Sequence, residues 1–136
     1  MSGVLVDSNV ILDVVTESRQ WYPWSADALG RLAETSVLSI NPIIYAEVSI
    51  GFERIEDVEE LLSSDFFRRA PLPWEAAFLA GKCFVEYRRR GGAKRSPLPD
   101  FYIGAHAAVA GMRLLTRDPS RYRTYFPKLE IIAPSR

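Results

Sequence analysis

Short apolar runs alternate along this chain with stretches in which apolar residues recur at helical spacing. Residues 3–6 form a short apolar run that ends in Asp-Ser-Asn, which predicts a buried strand followed by a turn. Similar runs predict further strands at 37–40, 113–116 and 129–132. The spacing between the runs predicts helices at 10–15, 24–34, 42–51, 55–64, 74–90, 100–110 and 120–125.

The order of these elements predicts an α/β fold. Strands separated by helical stretches favour right-handed βαβ crossovers, and therefore a central, mainly parallel sheet covered by helices. The chain has 136 residues, with no internal repeat and no linker long enough to divide it. We therefore expect residues 1–136 to form a single domain.

Composition restricts the class of protein. The chain is 48% apolar and 25% charged, which provides material for a core and argues against disorder. It has no run of about 18 apolar residues and begins without a signal-peptide pattern. We therefore expect a soluble, cytoplasmic protein that does not associate with membranes. The single cysteine, Cys83, excludes an internal disulfide and a cysteine-rich zinc site, and we expect it to be a small buried residue.

Acidic and basic residues are distributed unequally between the two halves of the chain. Residues 1–68 hold twelve acidic and four basic residues, whereas residues 69–136 hold five acidic and thirteen basic ones. Such an asymmetry is typical of a protein with a charged partner. Attraction between the two halves within the fold explains it equally well at this level.

Four acidic residues from distant parts of the chain fall close to predicted strand ends. Asp7 ends the first strand and Asp118 follows the third, while Glu47 and Asp100 lie on helices that adjoin the second and third. Ligands bind beyond the carboxyl ends of parallel strands, so we expect the four carboxylates to converge at that edge. Crowded carboxylates need a cation. Oxygen ligands without histidine or cysteine suit Mg²⁺ or Mn²⁺.

Three of these acids also have a structural explanation. Asp7 and Asp118 are good helix caps, and Asp100 favours its helix through the helix dipole. Glu47 lies among apolar residues within a helix, where an unpaired carboxylate is costly. The coincidence of all four at one predicted edge favours a shared chemical role.

Divalent ions held by carboxylates commonly serve phosphate chemistry. They polarise a phosphoryl oxygen and lower the pKa of water. Four carboxylates are equally compatible with one ion or two. Ser8, Asn9 and Thr116 lie beside the acids in the sequence, and we expect them to hydrogen-bond the carboxylates.

Four short motifs contain the acidic residues. They are VLVDSNV at 4–10, PIIYAE at 42–47, DFYIGAHA at 100–107 and LLTRDP at 114–119, followed by Arg-Tyr at 121–122 and Phe-Pro at 126–127. In this order and spacing they resemble the motifs of the PIN domain, and within it the VapC-type toxins of prokaryotic toxin–antitoxin pairs. The resemblance runs nearly from end to end of the chain.

The resemblance implies a three-layer α/β/α sandwich with a central parallel sheet and an acidic pocket that binds Mg²⁺ or Mn²⁺. It implies that Asn9 and Thr116 are supporting polar positions near the metal, and it assigns no catalytic part to His106. The motif match carries the metal-binding and catalytic roles to Asp7, Glu47, Asp100 and Asp118.

The activity that the resemblance implies is that of a metal-dependent endoribonuclease. Such a protein is the toxin of a type II toxin–antitoxin system and hydrolyses RNA phosphodiesters, commonly in tRNA or rRNA, to block translation. A homodimer and a cognate VapB-type antitoxin that obstructs the pocket are also implied.

Basic residues near the predicted acidic pocket are candidates for holding the RNA backbone. The alternative for the run at 88–90 is a solvated helix end that the helix dipole favours. The candidates are Arg88, Arg89, Arg90, Lys94, Arg95 and Arg117.

Two other functional classes compete with a nuclease. A non-catalytic module of the same fold would bind RNA or a protein without turnover, so metal-dependent turnover separates the two. A haloacid-dehalogenase-like phosphohydrolase would carry a second aspartate two residues after the first, where this chain has Asn9. The sequence therefore favours the nuclease over both.

Overall fold

A parallel β-sheet forms the centre of the computed structural model, which describes residues 3–135. The strand order from edge to edge is β3-β2-β1-β4-β5, and every neighbouring pair is parallel. Within the described residues the sheet has five strands: β1 (Val4–Val6), β2 (Leu38–Ile40), β3 (Arg68–Arg69), β4 (Arg113–Leu115) and β5 (Ile131–Ile132).

Helices connect the strands and cover the sheet on both sides. Right-handed crossovers place the helices between β1 and β3 on one face and those between β3 and β5 on the other. This arrangement is the predicted three-layer α/β/α sandwich. Seven helices lie within residues 3–135: α1 (Ser8–Val15), α2 (Tyr22–Thr35), α3 (Pro42–Ser49), α4 (Ile55–Leu61), α5 (Trp74–Arg89), α6 (Pro99–Ala110) and α7 (Ser120–Tyr125).

Strand β1 occupies the middle of the sheet, as its unbroken apolar sequence requires. Val4, Leu5 and Val6 are fully buried, because helices cover both faces of a parallel sheet. Leu5 lies opposite Ser39 of β2 and Leu114 of β4. Burying a side chain of this size contributes about 2 kcal/mol to folding. The strand therefore holds the residue that follows it, at position 7, in a fixed place.

The predicted elements are all present, and the differences lie at their ends. Helix α4 ends at Leu61, because the next turn begins at Ser63, whose carbonyl accepts hydrogen bonds from the amides of Phe66 and Phe67. Strand β5 is shorter than predicted because the Leu129 amide bonds to the Phe126 carbonyl in a turn.

Strand β3 was not predicted. It consists of two exposed arginines, and an apolar pattern is absent from its sequence. Its place in the sheet comes from backbone pairing with β2, where Arg68 lies opposite Ser39 and Arg69 opposite Ile40. The Arg68 Nε also donates to the buried Ser39 Oγ at 3.2 Å. Charged side chains are typical of an edge strand, since they discourage pairing with another chain.

The longest helix, α5, packs its small residues against the core. Ala76, Ala80 and Cys83 are buried, which confirms the expectation for the cysteine. Two aromatic residues of the same helix lie on its outer side: Phe78 is 68% exposed and Trp74 is 89% exposed. The close contact of α5 with α6 explains the preference for small side chains at the interface. No helix among the described residues is long and apolar enough to cross a membrane.

Candidate active site

The acidic site is organised around Asp7, which directly follows β1. The extended backbone at Asp7 lets its Oδ1 accept a hydrogen bond from the Ser8 amide at 2.8 Å, so Asp7 is the N-cap of α1. Its side chain is only 3% exposed. The cap and the acidic site are therefore built from the same carboxylate, and the structural explanation does not compete with the chemical one.

The second oxygen of Asp7 is surrounded by neutral donors. Asp7 Oδ2 accepts hydrogen bonds from Thr116 Oγ1 at 2.9 Å, from Tyr122 Oη at 2.9 Å and from Asn9 Nδ2 at 3.4 Å. The Asn9 Nδ2 also lies 3.2 Å from Thr116 Oγ1. Both oxygens of this carboxylate are thus hydrogen-bonded, and none of these donors carries a positive charge.

Glu47 reaches the site from α3. This helix begins sharply because Asn41 caps it, accepting a hydrogen bond from the Ile44 amide at 2.9 Å, and because Pro42 suits the first helical position. The Ser8 hydroxyl donates to Glu47 Oε1 at 2.8 Å and lies 3.5 Å from Asp7 Oδ1. Ser8 therefore joins the carboxylates of Glu47 and Asp7.

Asp100 enters from the first turn of α6 and contacts two residues of α7. Tyr122 Oη lies 3.3 Å from Asp100 Oδ1, and Arg121 Nη1 lies 3.4 Å from Asp100 Oδ2. The Tyr122 hydroxyl is thus shared between Asp100 and Asp7. Arg121 is the basic residue that the structure brings into contact with this carboxylate.

Asp118 lies at the rim of the site. Its side chain is exposed, and its backbone amide donates to Thr116 Oγ1 at 3.2 Å. Its charge is nevertheless close enough to raise the pKa of Asp100. The four predicted acids therefore share one edge of the sheet, with Asp7 most deeply buried and Asp118 outermost.

The three inner carboxylates have raised pKa values. Burial raises the pKa of Asp7 from its usual 3.8 to about 6; hydrogen bonds from Tyr122 and Thr116 oppose this rise, and the charges of Asp100 and Glu47 add to it. Burial also raises the pKa of Glu47 and that of Asp100. At Asp100 the charge of Arg121 offsets part of the rise. The site thus carries negative charge that its own residues do not balance.

The donor set fits a hard divalent cation, because it consists of carboxylate oxygens, of which only those of Asp100 have a cationic partner, Arg121, among the described residues. No three Asp, Glu, His or Cys side chains within residues 3–135 converge as a ready-made metal site. The hydroxyl groups of Ser8 and Tyr122 lie between the carboxylates instead. Binding an ion by several carboxylates therefore requires these side chains to close around it.

Tyr122 is the residue of the site that sequence reasoning missed as a functional residue. It is 1% exposed, and burial together with the nearby Asp7 and Asp100 raises the pKa of its phenol well above the usual 10, so it remains a donor. A tyrosine one turn after Asp118 was the available signal. An apolar ring on a short amphipathic helix is read more naturally as a core residue, which Tyr122 also is.

The five basic residues at the end of α5 and in the following loop are exposed, and none contacts a site carboxylate among the described residues. Arg88 donates to the Lys94 carbonyl at 2.8 Å. Arg90 pairs with Glu86 at 2.9 Å, and its guanidinium lies 5.4 Å from the ring centroid of Tyr125. The five are Arg88, Arg89, Arg90, Lys94 and Arg95. The sixth candidate, Arg117, follows Thr116 and is half-buried.

His106 has a structural place outside the acidic cluster. It is buried, and its Nδ1 lies 2.9 Å from the Nδ2 of Asn41, the residue that caps α3. Burial and the charge of Arg68 lower the pKa of its imidazole, which favours the neutral form that accepts from the Asn41 amide. His106 therefore supports the helix that carries Glu47.

Comparison with known proteins identifies the family. The family model of the PIN domain matches residues 4–127. The chain belongs to the PIN domain family. PIN domains are generally nucleases and typically use divalent metals, so membership supports a hydrolase activity for this chain. The matched region contains all four acids and Tyr122.

Solved structures of similar fold include two VapBC structures and one of FitAcB. VapBC2 of Rickettsia felis, bound to a DNA fragment from its promoter, aligns with a TM-score of 0.73 at 17% identity, covering 97% of this chain and 98% of that one. VapBC-1 of nontypeable Haemophilus influenzae aligns at 0.69 and 17% identity, covering 96% of both chains. FitAcB of Neisseria gonorrhoeae aligns at 0.68 and 20% identity, covering 95% and 96%. At these identities the likeness establishes the fold. No curated protein sequence matches this chain.

Proposed function

We propose that this PIN domain is a metal-dependent endoribonuclease and the toxin of a type II toxin–antitoxin system, with residues 1–136 forming a single nuclease domain. The observation that carries the proposal is the cluster of Asp7, Glu47 and Asp100, which share the hydroxyls of Ser8 and Tyr122. Among the described residues only Asp100 has a cationic partner, Arg121, so most of the negative charge of the cluster has no countercharge. A divalent cation supplies that countercharge, and RNA supplies a phosphodiester for it to act on.

The metal ligands are proposed to be Asp7, Glu47, Asp100 and Asp118, with Mg²⁺ or Mn²⁺ as the ion. When bound, the ion supplies Lewis acidity toward water and phosphate. The protein's own contribution is orientation: Ser8 positions the Glu47 carboxylate, while Thr116, Asn9 and Tyr122 hold that of Asp7. Asp118, exposed at the rim, is the carboxylate most accessible to an incoming phosphate and its water.

The RNA backbone is proposed to contact basic residues around the site, with tRNA or rRNA as the substrate class. Exposed guanidinium and ammonium groups bind phosphates without reading sequence. The proposed contacts are Arg88, Arg89, Arg90, Lys94, Arg95 and Arg117.

A VapB-type antitoxin and a second copy of the chain are the proposed protein partners. The antitoxin is supported by the likeness to VapBC structures, whose names combine VapB and VapC. The homodimer is supported by Trp74 and Phe78, two exposed aromatic residues one turn apart on α5. Aromatic side chains of this kind are enriched at interfaces.

Cleavage of cellular RNA tests the proposed activity. Purified protein without antitoxin is incubated with total RNA and Mg²⁺ or Mn²⁺, and we expect discrete fragments that EDTA abolishes. Asp7→Ala and Asp100→Ala are expected to remain folded and to produce no fragments. The matched control is Asp27→Ala, which removes an exposed carboxylate on α2 that pairs with Arg31. Cleavage by Asp7→Ala at the rate of the parent contradicts the proposal.

A non-catalytic binding module is the second candidate. It is favoured by the absence of a ready-made three-ligand metal site in the described part of the chain. RNA binding by folded protein that has Mn²⁺ bound, with no cleavage of any RNA in the pool, would support this alternative.

A further inference from the structure

A second buried carboxylate, Asp13, lies on the same helix as the site but has no part in the proposed hydrolysis. It is 3% exposed, and its Oδ2 accepts hydrogen bonds from Arg117 Nε at 2.8 Å and from Ser25 Oγ at 2.8 Å. Arg117 follows Thr116 and precedes Asp118 in the chain. The pair therefore connects α1 and α2 to the loop that carries the rim of the acidic site.

Arg117 is held on several sides. Its backbone amide donates to Asn9 Oδ1 at 3.3 Å, and its guanidinium lies 5.5 Å from the ring centroid of Trp21. The contact with Asp13 runs through Nε alone. Such a cation, stacked on an indole and bonded at one edge, has one orientation rather than many.

The two terminal nitrogens of Arg117 remain available. Among the described residues, neither Nη1 nor Nη2 makes a hydrogen bond, and 31% of the side chain is exposed. A pair built only to neutralise Asp13 would commonly use two parallel N–H bonds, because arginine binds carboxylates best through its fork. Here Nη1 and Nη2 are left for another acceptor.

We propose that Arg117 is a pre-organised phosphate contact for the RNA, held in position by Asp13 and Trp21. The proposal rests on the function proposed above and names one residue of its substrate surface. Arg121 forms an ion pair with Asp100 of the acidic site itself. The Asp13 carboxylate prevents the same outcome for Arg117, since it holds the guanidinium on α1 instead of on Asp118 or Asp7.

Pre-organisation is the physical advantage of this arrangement. A free arginine loses rotamer entropy when it binds a phosphate, whereas Arg117 has already lost it on folding. The pairing with Asp13 reduces the net charge that Arg117 presents. We therefore expect it to supply one directed phosphate contact rather than long-range attraction.

Binding of fluorescein-labelled bulk tRNA tests the proposal in an Asp100→Asn background, which prevents cleavage. Arg117→Gln is expected to weaken binding about 5-fold to 10-fold and to lower the slope of log affinity against log salt by about 1. Arg31→Gln is the matched control, because its Nε pairs with Asp27 at 3.0 Å on the exposed face of α2. This control should bind like the parent.

The variant Asp13→Asn separates positioning from charge. It makes the protein more positive and frees the Arg117 guanidinium, so electrostatics alone predicts tighter tRNA binding. Loss of the fixed orientation predicts binding that is weaker by about 2-fold to 3-fold. Tighter binding would show that Asp13 does not position Arg117.

Folding of the variants is checked by circular dichroism and thermal melting, since Arg117→Gln leaves Asp13 buried without its cation. The double variant Asp13→Asn/Arg117→Gln replaces the ion pair with a neutral hydrogen bond and is expected to show the same loss of tRNA affinity. If Arg117→Gln and the double variant bind tRNA like Arg31→Gln, with an unchanged salt slope, the proposal is overturned.

Failure of this inference is distinguishable from failure of the proposed function. A protein that cleaves RNA while its Arg117 variants bind tRNA normally retains the proposed function and loses this inference. A protein that cleaves no RNA but loses tRNA affinity with Arg117→Gln retains the phosphate contact. If the parent protein binds no tRNA at low salt, the inference about Arg117 is wrong.

Discussion

The surroundings of Asp7 and Asp13 differ, although both carboxylates are 3% exposed and both belong to helix α1 or its cap. Asp13 is paired with the cation of Arg117 and receives a hydroxyl bond from Ser25. Burial raises the pKa of Asp7 to about 6, because its neutral donors, Tyr122 and Thr116, offset the effect of burial only in part and the nearby acids add to it. The charge of Asp13 is therefore balanced within the fold, whereas that of Asp7 is left for the external cation that we propose.

The difference has opposite energetic consequences. A pKa that rises from 3.8 to about 6 disfavours the ionised form of Asp7 by about 3 kcal/mol. Breaking a buried ion pair by removing one partner costs about 3 to 5 kcal/mol, because the other charge is left alone. The same change from aspartate to asparagine should therefore act in opposite directions at the two positions.

The largest expected effect is the loss of activity in Asp7→Asn. We expect RNA cleavage to fall by about 10³-fold, because the neutral amide is a poor ligand for a hard cation. Stability at pH 7.5 without metal should not decrease, since the buried charge is removed and asparagine still caps α1. Cleavage rates and urea denaturation measure the two effects. An active Asp7→Asn variant would remove Asp7 from the catalytic group.

The counterpart is Asp13→Asn, for which the main expected effect is on folding. We expect the free energy of unfolding to fall by about 3 kcal/mol, because Arg117 is left half-buried without its partner. Urea denaturation of this variant beside Asp7→Asn gives a matched pair: the same substitution, the same exposure and the same helix. If both variants lose the same stability, the proposed contrast between the two carboxylates is wrong.

The pH dependence of stability sharpens the comparison further. Because the folded pKa of Asp7 is raised, the native state binds protons more tightly than the unfolded state, so this contribution to stability is lost as pH rises from about 4 to above 6. His106 acts in the opposite direction. Its pKa is lowered in the folded state, so the protein loses stability as pH falls below 6.5, the usual pKa of histidine. Both effects are separated by subtraction, because His106 is present in the wild type and in Asp7→Asn alike.

Urea denaturation across this pH range, with EDTA, measures the difference between the wild type and Asp7→Asn. We expect the wild type to lose up to about 3 kcal/mol relative to the variant, and Mg²⁺ at pH 7.5 to restore stability to the wild type alone. A difference that does not vary with pH would show that Asp7 is not the group with the raised pKa.

The smallest expected effect is that of Tyr122→Phe. Removing this hydroxyl deletes a donor to ionised Asp7, so cleavage should fall about 10-fold and the acidic limb of the pH–rate profile should move to higher pH. Tyr125→Phe is the matched control, because it makes the same change on the same helix, where the ring packs on Phe101. Equal pH–rate profiles for the two variants would assign Tyr122 to packing alone.

The sequence alone determined four of the five described strands, the helices and the edge of the sheet at which the acids meet. Local patterns decide these features, since an apolar run buries a strand and the residue after it must lie at the strand's carboxyl end. That logic placed Asp7 and Asp118 correctly at one edge, and it located α3 and α6, which bring Glu47 and Asp100. Strand β3 lay outside its reach, because two exposed arginines carry no hydrophobic pattern and only pairing with β2 makes them a strand.

The tertiary structure decided which of the buried acids has a partner. Asp7 and Asp13 are six residues apart and look alike in the sequence, yet the donors that distinguish them come from more than 100 positions away, at Thr116, Tyr122 and Arg117. No local pattern reports whether such a distant side chain arrives with a charge or without one. That difference sets the energetic cost of each buried carboxylate, and it arises only when the sheet brings the ends of β1 and β4 together.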